Sequence, residues 1–401
     1  MKAMATNTVP DIDSLLVPTH DEFARQRAVA AIHTHAMLRL RFDCRTAYER
    51  NVKPAFEREH GRAPETGAEI AEAIKGDPFY QFYSSIRYNA QEMGPLARQP
   101  AVERALPAMI EIAKSAAQSN AAGGSLRLDP DLVVPDYMTE YDVHLAAGSY
   151  HSEFVDDDVA QGVLLGRGLS PIAGKGRITK NRNFAGVGQS IAHWLKAKYP
   201  AFAPRRMLDM ATQSGANLTA YPKAFPGLEA HGIDVAAPGL RYGHAKAEFE
   251  DVAIHFSQQD AAHTDFPDGH FDLVVSSFFL HEVPVPVTHQ ILKEAYRLLA
   301  PGGLLVFMEL PPHKACDAFM NFAYDWDTEH NNEPFYRDYR SQDPTELVVA
   351  AGFPRDSALE LTIPDITSFD MDRYPAFLKG EIEAPPHGRG GWFIFGARKP
   401  G

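Results

Sequence analysis

From Arg206 to Leu310 the apolar positions fall in short strand-like runs, separated by stretches of helical period. The runs are Met207-Leu208, Gly232-Ile233, Ile254-His255-Phe256, Phe271 to Ser276 and Leu299 to Val306. Runs of this length alternating with helices predict a doubly wound α/β sheet. Acidic residues stand at successive strand ends: Asp209, Asp234 and Asp260. Such a sheet binds its ligand at the carboxyl ends of its strands, so these carboxylates face a nucleoside-like ligand.

The first half of the chain carries a different pattern. From Asp21 to Glu59 the spacing of Phe23, Ala30, Met37, Leu38, Leu40, Phe42 and Tyr48 suits one or two helices. Thr66-Gly67-Ala68-Glu69 is a capping box. Asp77-Pro78 opens a helix over the aromatic run Phe79 to Tyr88. Pro100 to Ala117 reads as a further helix, and Ala121 to Ser125 as a flexible break. Residues 1 to about 18 read as polar and loose. Residues 137 to 151 suggest a short strand ending at Gly148-Ser149-Tyr150-His151, and Asp156 a cap for a helix through Leu165. Pro171 to Arg182 is a Gly- and Lys-rich connection, and Gly188 to Tyr199 an amphipathic helix. After Leu310 the pattern predicts a helix over Lys314 to Glu329, a loop over Asn331 to Phe335 and a helix near Thr345 to Ala351. Late strands follow at Leu359 to Ile363 and Gly391 to Arg398. The division expected is a mainly helical region, 1–185, and an α/β domain, 186–401.

Composition narrows the classes. The 401 residues carry a formal net charge of −13, which argues against a nucleic-acid grip. Two cysteines, Cys44 and Cys316, read as free thiols in a reducing compartment. No run of about 20 apolar residues predicts a membrane span. The start of the chain lacks a signal-peptide core, so a cytoplasmic protein is expected. His33 and His35 point apart on a helix, and no metal is assigned.

The ordered motifs from about residue 186 to 398 resemble the class I S-adenosylmethionine (SAM) dependent methyltransferase family. The resemblance rests on the three strand-end acids, on Asp265-Phe266-Pro267-Asp268-Gly269-His270-Phe271-Asp272, and on Leu298-Leu299-Ala300-Pro301-Gly302-Gly303. It implies a Rossmann-like seven-stranded sheet with an antiparallel last strand, and SAM as cofactor. Asp234 then binds the ribose hydroxyls, and Gln259-Asp260-Ala261 the adenine. Asp209, Ala211, Gln213 and Gly215 stand at the family's glycine turn, and Ser276 opens the loop facing the ligand. That turn departs from the family: only its third glycine, Gly215, is kept. Restoring glycine at Ala211 and Gln213 is expected to be neutral or harmful to SAM affinity. In the loop after the fourth strand of this domain, His281 is a candidate general base and Glu282 is read as structural. Tyr150 and His151 are the other candidate catalytic residues, with Asp325 to Asp327 and Asn331 to Phe335 on the substrate side. The implied reaction is methyl transfer to a small-molecule acceptor. A pseudoenzyme subunit and a SAM enzyme of non-methylating chemistry remain as alternatives. A small-molecule partner is expected, without nucleic acid or membrane, and a homodimer stays open.

Overall fold

The computed structural model describes residues 9–166 and 185–401. The expected connection Pro171 to Arg182 lies outside the described residues. An eight-stranded sheet runs in the order β1-β4-β3-β2-β5-β6-β8-β7. Its strands are β1 (Ser125–Arg127), β2 (Arg206–Met210), β3 (Glu229–Asp234), β4 (His255–Gln258), β5 (Phe271–Ser277), β6 (Leu299–Met308), β7 (Leu359–Pro364) and β8 (Gly391–Arg398). All neighbours are parallel except β8, which runs antiparallel to both β6 and β7. The chain builds outward from β2 through β3 to β4, then returns to place β5 and β6 on the other side. The strand order therefore reverses between β2 and β5, which is where such a sheet opens a ligand crevice.

Alternation along the strands divides the core into two faces. Leu208, Val274, Leu305, Phe307 and Phe395 pack with the helices Val285–Leu298 and Pro344–Ala351. Met207, Leu273, Val275, Val306 and Ile394 pack on the opposite face with the helix Ala185–Lys198. The period of two in these buried runs is what a sheet covered on both sides requires.

Four readings of the first half are corrected. The segment after Gly124 is not a break throughout: β1 adds an eighth strand beside β4, pairing Leu126 with Phe256. Gly124 permits this approach, since a Cβ there would lie 2.4 Å from the Ile254 carbonyl oxygen. Pro78–Ser119 is one 42-residue helix that continues through Pro95, Pro100 and Pro107. Interior prolines each remove a backbone hydrogen bond. A buried stripe of Ala90, Gly94, Ala97, Ala101, Ala105 and Met109 holds the helix together at three- and four-residue spacing. Residues 137 to 151 form no strand. They hold the short helix Asp136–Thr139, a single turn at Val143–Leu145 and a loop with left-handed φ at His144, Leu145, Gly148 and Ser149. The helix Ala160–Gly166 begins at Asp158, whose carboxylate accepts from the Ala160 N–H at 2.7 Å, not at Asp156.

The arm before residue 18 is also tied down where it is described. Ile12 is fully buried. Asp11 and Asp13 meet Lys246 at 2.8 and 2.9 Å, and Tyr242 donates to Asp13 at 2.8 Å. The two capping motifs read from sequence form as expected, at Thr66 with Glu69 and at Asp77 with Phe79 and Tyr80. Both cysteines are free thiols, and no described helix is long and apolar enough to cross a membrane.

Candidate functional site

The three strand-end acids gather at the carboxyl ends of β2, β3 and β4. Asp209 is buried, and Thr212 Oγ1 donates to its Oδ2 at 2.8 Å. Burial pushes its carboxyl up to about 7, against the Thr212 hydrogen bond and aided by the charge of Asp234. Asp234 ends β3 and accepts the Gln213 N–H on Oδ2 at 2.8 Å and the Ala236 N–H on Oδ1 at 2.9 Å. Burial raises it to about 6, although both backbone N–H groups favour its charged form. Asp260 lies two residues beyond β4 and accepts from the Ala262 N–H at 2.8 Å.

The first turn keeps the conformation of a glycine motif without its glycines. Ala211 has φ 57°, Gln213 φ 51° and Gly215 φ 69°. At Gly215 only a hydrogen fits, because a Cβ would stand 2.7 Å from the Phe256 ring. The Gln213 amide is turned toward the helix ends at Gly166 and Gly239: a Cβ on Gly166 would lie 2.6 Å from Gln213 Oε1. Left-handed φ costs a non-glycine residue roughly 1–2 kcal/mol. Glycine adds unfolded-state entropy of order 0.4–1 kcal/mol, less than the strain it relieves. For the stability of Ala211→Gly/Gln213→Gly, as distinct from its cofactor affinity, the geometry gives a separate expectation. The double variant should match or exceed the parent's melting temperature; a clear fall in thermal unfolding would contradict this strain argument.

A second group of polar side chains gathers around the loops that follow β5 and β6. Tyr150 donates to Glu282 Oε1 at 3.0 Å. His144 lies between two carboxylates, 3.5 Å from Glu282 and 3.1 Å from Glu333. Glu333 also accepts from Thr328 Oγ1 at 3.1 Å and from the Asn331 amide. His281 Nδ1 meets Glu309 Oε2 at 2.6 Å. Glu309 in turn accepts the N–H groups of Phe279 and Leu280, both at 2.6 Å, so one carboxylate fixes the loop after β5. Burial opposes charge on His281, but Glu309, with Glu333 and Glu282 behind it, raises it to about 9. His281 is thus an imidazolium near neutrality, a donor before it is a base.

Tyr150 and His281 therefore face the same carboxylates, Glu282 and Glu333. Glu282 and Asp234 are near enough that each neighbour's charge is felt: Glu282 raises Asp234, and Asp234 raises the Tyr150 phenol after burial and Glu282. Other sequence candidates sit differently. Ser276 donates to the Met210 carbonyl at 2.7 Å and is buried, so it braces β5 against β2. Gln259 donates to Ser257 and accepts from the Asp265 N–H, both at 2.8 Å. Ala261 packs in the core. His151 neighbours Asp142 rather than the glutamates, and burial lowers its pKa.

Three residues escaped the sequence reading. Tyr137 packs on the cluster that holds Ile233 and Ala261, and burial, then the strand-end acids Asp260 and Asp234, raise its phenol. His144 and Glu309 complete the carboxylate–imidazole network, and Glu282 joins it instead of serving only structure. Glu309 had a legible signal, since it follows β6 at its carboxyl end. Tyr137 and His144 had none, because their positions depend on how an irregular loop folds back. Beyond His281 an aromatic wall continues, with Tyr336 at 5.4 Å and Phe278 at 6.4 Å between ring centres, and Trp392 6.0 Å from Phe278.

Comparison with known proteins bears on this site. Residues 207–303 match a family model described as a methyltransferase domain. A demethylmenaquinone methyltransferase of Thermus thermophilus is 40% identical over 110 residues, which is 27% of this chain and 49% of the relative. The ubiquinone/menaquinone biosynthesis C-methyltransferase UbiE of Dinoroseobacter shibae is 34% identical over 122 residues, 29% of this chain and 48% of that one. The chain spans about half the length of these curated relatives. Among solved structures, phosphoethanolamine N-methyltransferase 2 of Haemonchus contortus, in complex with S-adenosyl-L-methionine, aligns with a TM-score of 0.36 at 19% identity. That alignment covers 53% of this chain and 52% of the other.

Proposed function

We propose that this chain is a class I SAM-dependent methyltransferase that transfers a methyl group to a small-molecule acceptor, a reading supported by the match of residues 207–303 to a methyltransferase domain. The observation that carries the reading is the set Asp209, Asp234 and Asp260 at the ends of three adjacent parallel strands. The residues suit the cofactor. Each Asp234 oxygen has one backbone N–H and keeps a lone pair, which matches two neighbouring ribose hydroxyls. Burial holds Asp209 and Asp234 above the usual carboxylate range, so both have unspent capacity for a cation or for hydroxyl donors. Asp260 keeps one oxygen for an exocyclic amine, and the 211–215 turn brings backbone close to the ligand.

When bound, SAM supplies a methyl group on a sulfonium that leaves as a neutral thioether. The protein's own part is to orient and to exclude water. Asp234 and Asp260 orient the nucleoside. The Phe278, Tyr336 and Trp392 rings suit a flat acceptor, and His281 faces it as a donor. The names of the relatives make a quinone-type acceptor the first to try. Titration calorimetry with S-adenosylhomocysteine should show one site per chain. No binding of it or of SAM would overturn the reading in favour of a scaffold. Binding without thioether release in the presence of acceptors would favour non-methylating chemistry.

A further inference from the structure

We infer that His144 is a positioning residue that holds the loop Asp142 to His151 closed over the nucleoside end of the site. The name of the ligand rests on the methyltransferase reading; the closure itself does not. His144 joins three separate parts of the chain. Its Nε2 lies 3.5 Å from Glu282 in the loop after β5, and its Nδ1 lies 3.1 Å from Glu333 beyond the helix Ala318–Glu329. Contacts around it keep the same register. Asn332 donates to the Asp142 carbonyl at 2.8 Å, Gln91 of the long helix donates to the His144 carbonyl at 3.0 Å, and Tyr150 donates to Glu282 at 3.0 Å. Gln91 is itself held by Arg87 at 2.9 Å, and Arg87 by Asp327 at 2.8 Å.

The loop's backbone is strained. His144, Leu145 and Ser149 have φ 60°, 53° and 50°. Such conformations persist where surrounding contacts over-determine them. The segment leading into the loop packs near the strand-end acids: Tyr137 lies against the cluster that holds Ile233, Ala261 and Ala262, the chain neighbours of Asp234 and Asp260, and the charges of both acids bear on its phenol. The groups facing His144 are Glu282, Glu333 and the Tyr150 ring at 6.0 Å; Glu333 is also faced by His281 and Asp327. Burial opposes charge on His144, but its two carboxylates raise it to about 10. A cation between two glutamates closes the loop; a neutral side chain leaves the two without the charge that joins them. The loop itself lies outside residues 207–303, whereas its anchor Glu282 lies within them and Glu333 beyond them.

The test compares wild type, His144→Gln and His144→Lys at about pH 7. Hydrogen exchange over residues 142–151 is measured without ligand, and S-adenosylhomocysteine affinity by calorimetry. His144→Gln should speed exchange of the loop and weaken binding about tenfold, ~1.4 kcal/mol. His144→Lys, which keeps the cation, should restore both. Unchanged exchange and affinity in His144→Gln would overturn the inference, and so would equal loss in both variants. If wild type binds no S-adenosylhomocysteine, the methyltransferase reading fails, while the exchange comparison still decides the role of His144.

Discussion

Replacing Glu309 by alanine should lower stability by about 3–5 kcal/mol, the largest loss expected from any single change at the site. Glu309 is buried at the end of β6 and accepts from Phe279, Leu280 and His281, with the Leu310 N–H at 3.2 Å. Removing it orphans these donors and leaves the His281 imidazolium buried without its counter-ion. The pH dependence has a definite sign. His281 is raised in the folded state to about 9 from an ordinary value of 6.5, so its contribution is full below about pH 6.5. That contribution is lost as pH rises toward 9. Thermal unfolding of Glu309→Ala should therefore fall furthest below wild type at about pH 6, with the gap narrowing by about pH 9. A gap that widens with pH would refute the imidazolium pairing. The loop after β5 should also loosen, because Phe278, at φ 59°, is held there with its neighbours' N–H groups on this carboxylate.

The α/β half was legible because burial on both faces writes period-two runs into the strands, and because a functional acid has few reasons to end a buried strand. Asp209, Asp234 and Asp260 were found on that ground alone. Glu309 obeys the same rule, standing directly after β6. The strand β1 was not legible: three residues at a sheet edge are too short to show a period, and what fixes them is pairing with His255 to Ser257. The prolines of the long helix misled for a different reason. Local propensity argues for a break at Pro100, but the stripe of small buried residues outweighs it. Residues 137 to 151 alternate by accident of composition. Their conformation is set by His144, Tyr150 and Asn332 contacts made across more than a hundred residues, which no local pattern records.

Replacing Asp234 by alanine should weaken S-adenosylhomocysteine binding by roughly 1.5–3 kcal/mol, the scale of hydrogen bonds to a charged acceptor. At 1.4 kcal/mol per decade this is on the order of 10- to 100-fold in Kd. Part of the loss is indirect, because Asp234 also holds the Gln213 N–H and so shapes the turn. The pH dependence separates the two parts. A carboxylate that accepts ribose hydroxyls must be ionised, and burial holds Asp234 near 6 in the free protein. Affinity should therefore rise about tenfold from pH 5 to pH 7 and then level off, since the ionised fraction changes by that factor across a pKa of this size. The charge of Asp234 in turn raises its neighbour Asp209, so ionisation of one bears on the other. Asp234→Asn keeps the size and one acceptor but removes the charge. It should lie between wild type and alanine in affinity and lose most of the rise between pH 5 and pH 7. An asparagine variant that keeps the full pH dependence would move the ribose contact away from Asp234, and with it the main support for how this site holds its cofactor.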